Sequence, residues 1–184
     1  MISTHCTPRT KLVIAIDIQR EYVTPGRPFY LNGIEGPLAN CRRVIDHARA
    51  MSWPFAHVRH IQQGHVFNED LPYSRFIEGF EPLGHEAVFT KSNLSCYSDP
   101  HFQHFMGSIR DEEVFLIGFN STMCCLSTII DGYHRGNKFI FVHDASLARA
   151  TKHANEQDAH VHATDTISIY ARTMTTDEVV ALGR

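Results

Sequence analysis

No apolar run among the 184 residues approaches the ~18 needed to cross a bilayer, so no membrane span is expected. Charge of one sign is not in excess. Seventeen basic residues face twenty acidic ones, for a formal charge of −3, which leaves no electrostatic footprint for nucleic acid or an anionic membrane. The Gly-rich phosphate fingerprints G-x-G-x-x-G and the P-loop are absent, which counts against a nucleotide-binding module. There is no CxxC pair of zinc type. The five cysteines (Cys6, Cys41, Cys96, Cys124, Cys125) are odd in number. A Cys124–Cys125 bond would be strained, because adjacent Cα atoms lie only about 3.8 Å apart. Free thiols in a reducing compartment follow as the expectation. A signal-peptide core is missing, since Asp17 interrupts the first apolar run after five residues, and the cytoplasm is the expected location. Repeats, low-complexity tracts and linkers are also missing, so residues 1–184 read as one domain, with Met1–Thr10 as a loose lead-in.

What is present is an alternation of short apolar runs and amphipathic stretches. Leu12–Ile16 is continuous and β-branched, as in a strand buried on both faces. Phe55–Arg59, Glu86–Lys91, Val114–Phe119 and Phe139–Val142 read as further strands, with a short one near Ala171–Met174. Helices are expected over Pro37–Met51, with Leu38, Cys41, Ile45 and Ala48 on one face, and over about Thr122–Arg135, with Leu126, Ile129, Ile130 and Tyr133 on one face. Asp99–Pro100 reads as the cap and first residue of a short helix to about Gly107. Further helix is expected from Asn155 to Ile169 and again from Thr176. Arg20–Gly36 is loop, and the long irregular stretch Ile61–His85 suits a wall or lid of a site. Strand–helix alternation implies an α/β fold of three layers, α/β/α, around a mostly parallel, Rossmann-like sheet of six strands.

Sites in such sheets form beyond the carboxyl ends of the strands. Asp17, Lys91, Cys124 and Asp144 all follow on strands there. Singly, each has an ordinary structural explanation; together they bring an acid, a base and a thiol to one edge. In Gly118–Phe119–Asn120–Ser121–Thr122–Met123–Cys124, Gly118 allows a sharp turn, and Ser121 or Thr122 can cap the next helix. Cys124 would then sit in a first helical turn, where the macrodipole lowers a thiol pKa and free amides can bind an oxyanion. Thr128, one turn on, could return a hydrogen bond to the Cys124 carbonyl.

These stretches resemble the isochorismatase-like cysteine hydrolase superfamily, which includes nicotinamidases and N-carbamoylsarcosine amidase. The matching segments are Val13–Gln19 (apolar strand, then D-x-Q), Glu86–Lys91 (E-x-V-x-x-K), and Gly118–Cys124 with Thr128 (G-x-x-[TS]-x-x-C-x-x-x-T). The resemblance spans about Lys11 to Leu182. It implies a triad of Asp17, Lys91 and Cys124, a cis peptide at Phe119–Asn120, and an oxyanion site built from Asn120 and Cys124. It also implies a homodimer or homotetramer. The chain departs from the family pattern at Phe119 and Asn120, where small residues are frequent, and at Cys125, where valine is usual. Cys125 should pack as a small hydrophobe. The metal-binding pattern of nicotinamidases is missing from His57–Ile61, where His57 and His60 would point to opposite faces, and His101 and His104 lack a third ligand. No metal and no cofactor are expected.

The expected activity is cysteine-dependent hydrolysis of a small amide, carbamoyl or ureido compound through a thioester. Gln19, Tyr22, Arg75, Phe76, Tyr97 and Thr128 are the expected substrate contacts. Isochorismatase-type vinyl-ether hydrolysis is the alternative. A catalytically silent binding module, with Asp17 and Lys91 as a structural ion pair, is the non-enzymatic one.

Overall fold

A computed structural model describes residues 10–109 and 112–183. Cys6 and most of the expected lead-in lie outside the described residues. Six strands form one sheet: β1 (Lys11–Ile16), β2 (Phe55–His60), β3 (Ala87–Lys91), β4 (Glu113–Gly118), β5 (Phe139–Val142) and β6 (Arg172–Met174). All five pairings are parallel, in the order β3-β2-β1-β4-β5-β6. The helices are α1 (Glu35–Ala50), α2 (Pro100–Ser108), α3 (Leu126–His134), α4 (Glu156–Ile167) and α5 (Thr176–Val180).

Each central strand is apolar on both faces because each face meets a helix layer. Val13 and Ala15 of β1, with Phe115 and Ile117 of β4, join Cys41, Val44, Ile45 and Ala48 of α1 and Val179 of α5. Leu12, Ile14 and Ile16, with Val114 and Leu116, join Phe102 and Met106 of α2, Ile129 of α3 and Ile167 of α4. β3 is an edge strand, so Val88 stays half exposed.

Local signals set most boundaries. Asp99 caps α2, its carboxylate accepting the His101 amide at 2.9 Å. Thr175 and Glu178 form a reciprocal capping box on α5. α1 begins before Pro37, whose missing N–H costs nothing in a first turn.

The helix expected over Thr122–Arg135 differs. Its opening is a π-helical turn, Ser121–Cys125, closed by the Cys125 amide on the Asn120 carbonyl at 3.1 Å. The extra residue in that turn rotates the buried face to Cys125, Thr128, Ile129 and Gly132. Tyr133, expected inside, is 54% exposed. Gly132 takes the inner position because a Cβ there would lie 2.3 Å from the Phe139 ring. Asp144 lies just past β5 at the carboxyl edge, as expected, and there it accepts the Thr176 amide and hydroxyl and ties β5 to α5.

Candidate active site

The chain runs outward from β1 to β3 on one side of the sheet, then resumes at β4 on the other. β1 and β4 are therefore neighbours at a topological switch point, where a crevice opens beyond their carboxyl ends. Asp17 is the first residue past β1. Its φ of 52° is unusual for a side-chain-bearing residue, and its amide is pinned to the Val58 carbonyl at 2.8 Å. Gly118 ends β4 with φ 105°. A Cβ there would fall 2.0 Å from the Ile16 carbonyl oxygen, so only glycine lets the two strand ends lie this close. The Phe119–Asn120 peptide is cis. The π turn then delivers Cys124 to the crevice.

Lys91 arrives from further away. It ends β3, and its side chain must pass the end of β2 to reach β1. Its ammonium stands 2.8 Å from Asp17 Oδ2, 2.9 Å from His60 Nδ1, and 3.2 Å from both Cys124 Sγ and the Asn93 carbonyl. All three side chains are buried: Asp17 is 0%, Lys91 1% and Cys124 4% exposed. Burial pulls the ammonium pKa down, but Asp17 and the sulfurs of Cys124 and Cys96 outweigh it, and the net shift is upward. Neither Asp17 oxygen receives a well-aligned hydrogen bond, so its contact with Lys91 is an ion pair that leaves room for a proton.

Cys124 corrects one expectation. Burial pushes its thiol up, Asp17 pushes it further, and Lys91 only partly opposes them. The resting sulfur is a thiol held above the usual range, not a thiolate lowered by the macrodipole. A short helix that starts only after Cys124 offers less than burial and a neighbouring carboxylate take away.

The flanking groups are fixed as well. Ser121 and Thr122, expected as helix caps, have other partners. The Ser121 hydroxyl pairs with His160 Nδ1 at 2.9 Å, and the Thr122 hydroxyl donates to Asn120 Oδ1 at 3.0 Å. Thr128 accepts the Cys96 amide at 3.0 Å rather than bonding the Cys124 carbonyl. Cys125 is fully buried, its sulfur 3.5 Å from the Gly118 carbonyl.

The expected substrate contacts divide. Tyr22 lies at the site: Cys124 and Asp17 join burial in pushing its phenol up, and its ring packs 5.7 Å from Phe119 and 5.4 Å from Phe67. Gln19 is a clamp, its amide accepting the His60 N–H at 2.8 Å and donating to the carbonyls of His60 and Ser74 at 2.9 and 2.6 Å. That leaves it no donor for a ligand. The Tyr97 ring packs against Phe102 and its hydroxyl donates to Asn137, which makes it a core residue. The Phe76 ring meets His57 at 5.6 Å, and Arg75 is exposed.

Two residues were missed by sequence reasoning. From sequence His60 stands out only as a possible metal ligand, yet it touches the ammonium. The available signal was register: β2 runs one residue past Arg59, which sets His60 beside Lys91. Glu86 stands in the E-x-V-x-x-K motif, which by itself gives it no role. It accepts from Arg49 at 2.8 and 3.0 Å and from the Leu83 amide at 2.8 Å, and pairs with His57 at 2.8 Å.

Asp17, His60 and Cys124 offer ligand atoms within 4.8 Å of one another. The Lys91 ammonium is within hydrogen-bonding reach of all three, so a cation already belongs to this donor set. His101 and His104 are exposed on α2. A cavity of ≈ 590 Å³, lined by Tyr133, Phe139, Ile169 and Arg172 among others, opens at the amino ends of β4–β6, away from the thiol.

Comparison with known proteins bears on this geometry. Residues 11–178 match the family model described as the isochorismatase domain. The chain is 28% identical over 145 residues to the secreted isochorismatase effector Isc1 of Verticillium dahliae, covering 78% of this chain and 75% of that protein. It is 22% identical over 143 residues to N-carbamoylsarcosine amidase of Arthrobacter sp., covering 67% of this chain and 54% of that enzyme. Among solved structures, an isochorismatase from Pseudomonas putida superposes with a TM-score of 0.83 at 27% identity, over 94% of this chain and 93% of its own. A cysteine hydrolase from Pseudomonas syringae gives 0.84 at 22%, over 95% and 92%, a likeness of fold.

Proposed function

The chain belongs to the isochorismatase family and is a hydrolase, and from that membership we propose that it cleaves a small amide, carbamoyl or ureido compound through a thioester on Cys124. One observation carries the reading: a single buried ammonium, Lys91, spans Asp17 at 2.8 Å and Cys124 at 3.2 Å.

Asp17 takes the Cys124 proton as the sulfur attacks the carbonyl carbon. The carbonyl electron pair moves onto oxygen, where the Asn120 and Cys124 amides are the candidate donors. Lys91 holds the compensating positive charge throughout. The C–N bond breaks, and the amine leaves with the proton from Asp17. Water then gives a proton to Asp17, attacks the thioester, and releases the acid and the thiol. The raised thiol pKa supports proton transfer concerted with attack over a standing thiolate. Tyr22, Phe29, Phe67 and Phe119 form an aromatic cluster, and Tyr22 within it, close enough to feel the charge of Cys124 and Asp17, is the ring suited to meet a small, partly apolar substrate. The guanidinium of Arg149, 5.0 Å from the Phe29 ring, is the candidate partner for an anionic substituent.

The kinship with proteins named isochorismatase favours one second reading, vinyl-ether hydrolysis, in which Asp17 would donate a proton and Cys124 would be dispensable. An ammonia-release screen over small amides and ureas separates the two. Cys124→Ala should abolish release and Cys125→Ala should not; equal activity in both variants ends the amidase reading. The silent-module alternative is disfavoured because Lys91 is shared with a thiol rather than closed on Asp17 alone. The four described cysteines are free, which supports a reducing compartment as the working location. Assembly as a dimer or tetramer is a proposal for sedimentation analysis.

A further inference from the structure

We propose that His60 is a positioning residue for the thiol chemistry: its neutral imidazole accepts one N–H of the Lys91 ammonium and thereby aims another at Cys124 while the charge stays against Asp17. The proposal rests on the reading of Cys124 as nucleophile.

The geometry begins with the sheet. Lys91 is two strands away from Asp17, and β2 lies between them. His60 and Lys91 are in register as the last residues of β2 and β3. A long, flexible side chain reaching over a strand needs a fixed point, and the imidazole at 2.9 Å supplies one. An ammonium has no lone pair, so His60 Nδ1 must be the acceptor. The proton is then on Nε2, which faces Gln62 Oε1 at 2.9 Å. Gln19 grips both backbone polar groups of His60, and the Phe67 ring stands 5.1 Å from the imidazole. Each degree of freedom of this side chain is thus restrained by a partner that does no chemistry.

The ammonium has three protons and four acceptors in reach: Asp17, His60, Cys124 and the Asn93 carbonyl. His60 decides which of them go short. With Nδ1 as a permanent acceptor, the remaining two protons lie toward the sulfur and the Asn93 carbonyl, and the carboxylate is met as an ion pair without an aligned hydrogen bond. The charged or titratable groups facing His60 are Lys91 on β3, Asp17 after β1 and Cys124 after β4; Gln62 and Asn93 are neutral. Protonating His60 would set N–H against N–H beside a second cation and drive the ammonium off the sulfur.

The test follows alkylation of Cys124 by iodoacetamide against pH, read by peptide mass, alongside turnover of whichever amide the screen selects. His60→Leu keeps volume and removes the acceptor. It should slow alkylation at neutral pH by roughly tenfold or more, move the profile to higher pH, and lower kcat far more than it changes KM, in line with the ~10²-fold cost of an ångström-scale misplacement. His60→Asn puts an amide oxygen near the place of Nδ1. It should restore alkylation and kcat to within about threefold of wild type and abolish any acid limb due to the imidazole. A wild-type alkylation profile in His60→Leu, or no rescue by a folded His60→Asn, overturns the proposal. If His60→Leu does not fold, Gln62→Leu replaces it: loss of the Nε2 partner should weaken alkylation in the same direction, and an unchanged profile refutes the role. Failure of the nucleophile reading is separate, because it appears as turnover surviving in Cys124→Ala whatever the His60 variants do.

Discussion

The ammonium of Lys91 and the carboxylate of Asp17 meet at 2.8 Å with both side chains fully withdrawn from solvent. Two buried charges are tolerated because each answers the other. Removing one strands its partner, at a cost of about 3–5 kcal/mol. Lys91→Met should therefore lower stability by about that much in urea titration. Asp17→Asn combined with Lys91→Met should recover most of the loss and remain inactive. A double variant no more stable than Lys91→Met would show that the pair is not coupled.

Glu86 and Lys91 sit five residues apart in one motif and do different work. Glu86 is the shared acceptor for Arg49, His57 and the Leu83 amide, and those contacts hold its pKa at about 2 even though burial opposes them. Glu86→Ala leaves His57 and Arg49 without their anion and should cost about 3 kcal/mol in a denaturant midpoint analysis. The specific activity of the folded fraction should persist, because the partners of Glu86 are Arg49, His57 and the Leu83 amide rather than the thiol. Loss of activity without loss of stability would assign Glu86 a direct part in the reaction.

Stability should fall as the solution is acidified below pH ~6.5, the usual histidine value. His57, His60 and His160 are all buried with lowered pKa values, desolvation being the main cause in each. A depressed histidine stays neutral in the fold after the unfolded chain has begun to take up protons. The unfolded state then binds more protons, so stability rises with pH across that window and drops below it. Glu86 adds nothing there, because its contribution is lost only between its ordinary value of 4.5 and about 2. Urea midpoints at pH 8, 7, 6 and 5 should therefore be flat above neutrality and decline below it. A midpoint that holds steady down to pH 5 contradicts the burial of these rings as neutral species.

The sheet, and the meeting of Asp17, Lys91 and Cys124 at one edge of it, were legible because they rest on short-range signals. The apolar runs of β1, β4 and β5 must be buried on both faces, and that requirement appears directly in their residues. Asp17 and Cys124 carry a strand end and a glycine turn beside them. The π turn was not legible, since one extra residue in a helix's first turn leaves the apolar spacing nearly unchanged and only shifts which side chains face inward. That shift exposed Tyr133 and buried Gly132. Tyr97 and Phe76 could not be assigned from sequence, because an aromatic in a loop near a site has the same composition whether it turns toward the thiol or into the core. His60 needed the β2–β3 register, which depends on where β2 stops.

Gly118→Ala should be among the most damaging single-methyl changes in this chain. The added carbon would sit 2.0 Å from the Ile16 carbonyl oxygen, which itself accepts the Phe119 amide at 2.9 Å. Backbone cannot yield there without parting β1 from β4. A loss above about 4 kcal/mol, or failure to fold, is expected by calorimetry or expression yield. Gly136→Ala provides the control: it has a similar positive φ with nothing within 4 Å of the added carbon, and should cost only the conformational penalty of about 1–2 kcal/mol. Equal effects at the two sites would mean that the close approach of the strands is unimportant.

The sharpest prediction separates thiol ionisation from catalysis. Asp17 raises the Cys124 pKa, both by its charge and by its contact with the thiol, so it makes the thiolate harder to form in the resting site. As general base it makes the thiol easier to deprotonate during attack. Asp17→Asn should therefore move the two observables in opposite directions. Alkylation of Cys124 should begin at lower pH than in wild type, since Lys91 then acts on the sulfur without a competing carboxylate. Turnover should fall by about 10²–10⁴-fold, the usual contribution of a positioned base. If Asp17 served only to keep the thiolate standing, alkylation would shift to higher pH together with the loss of turnover, and a parallel decline of the two would sink the concerted mechanism.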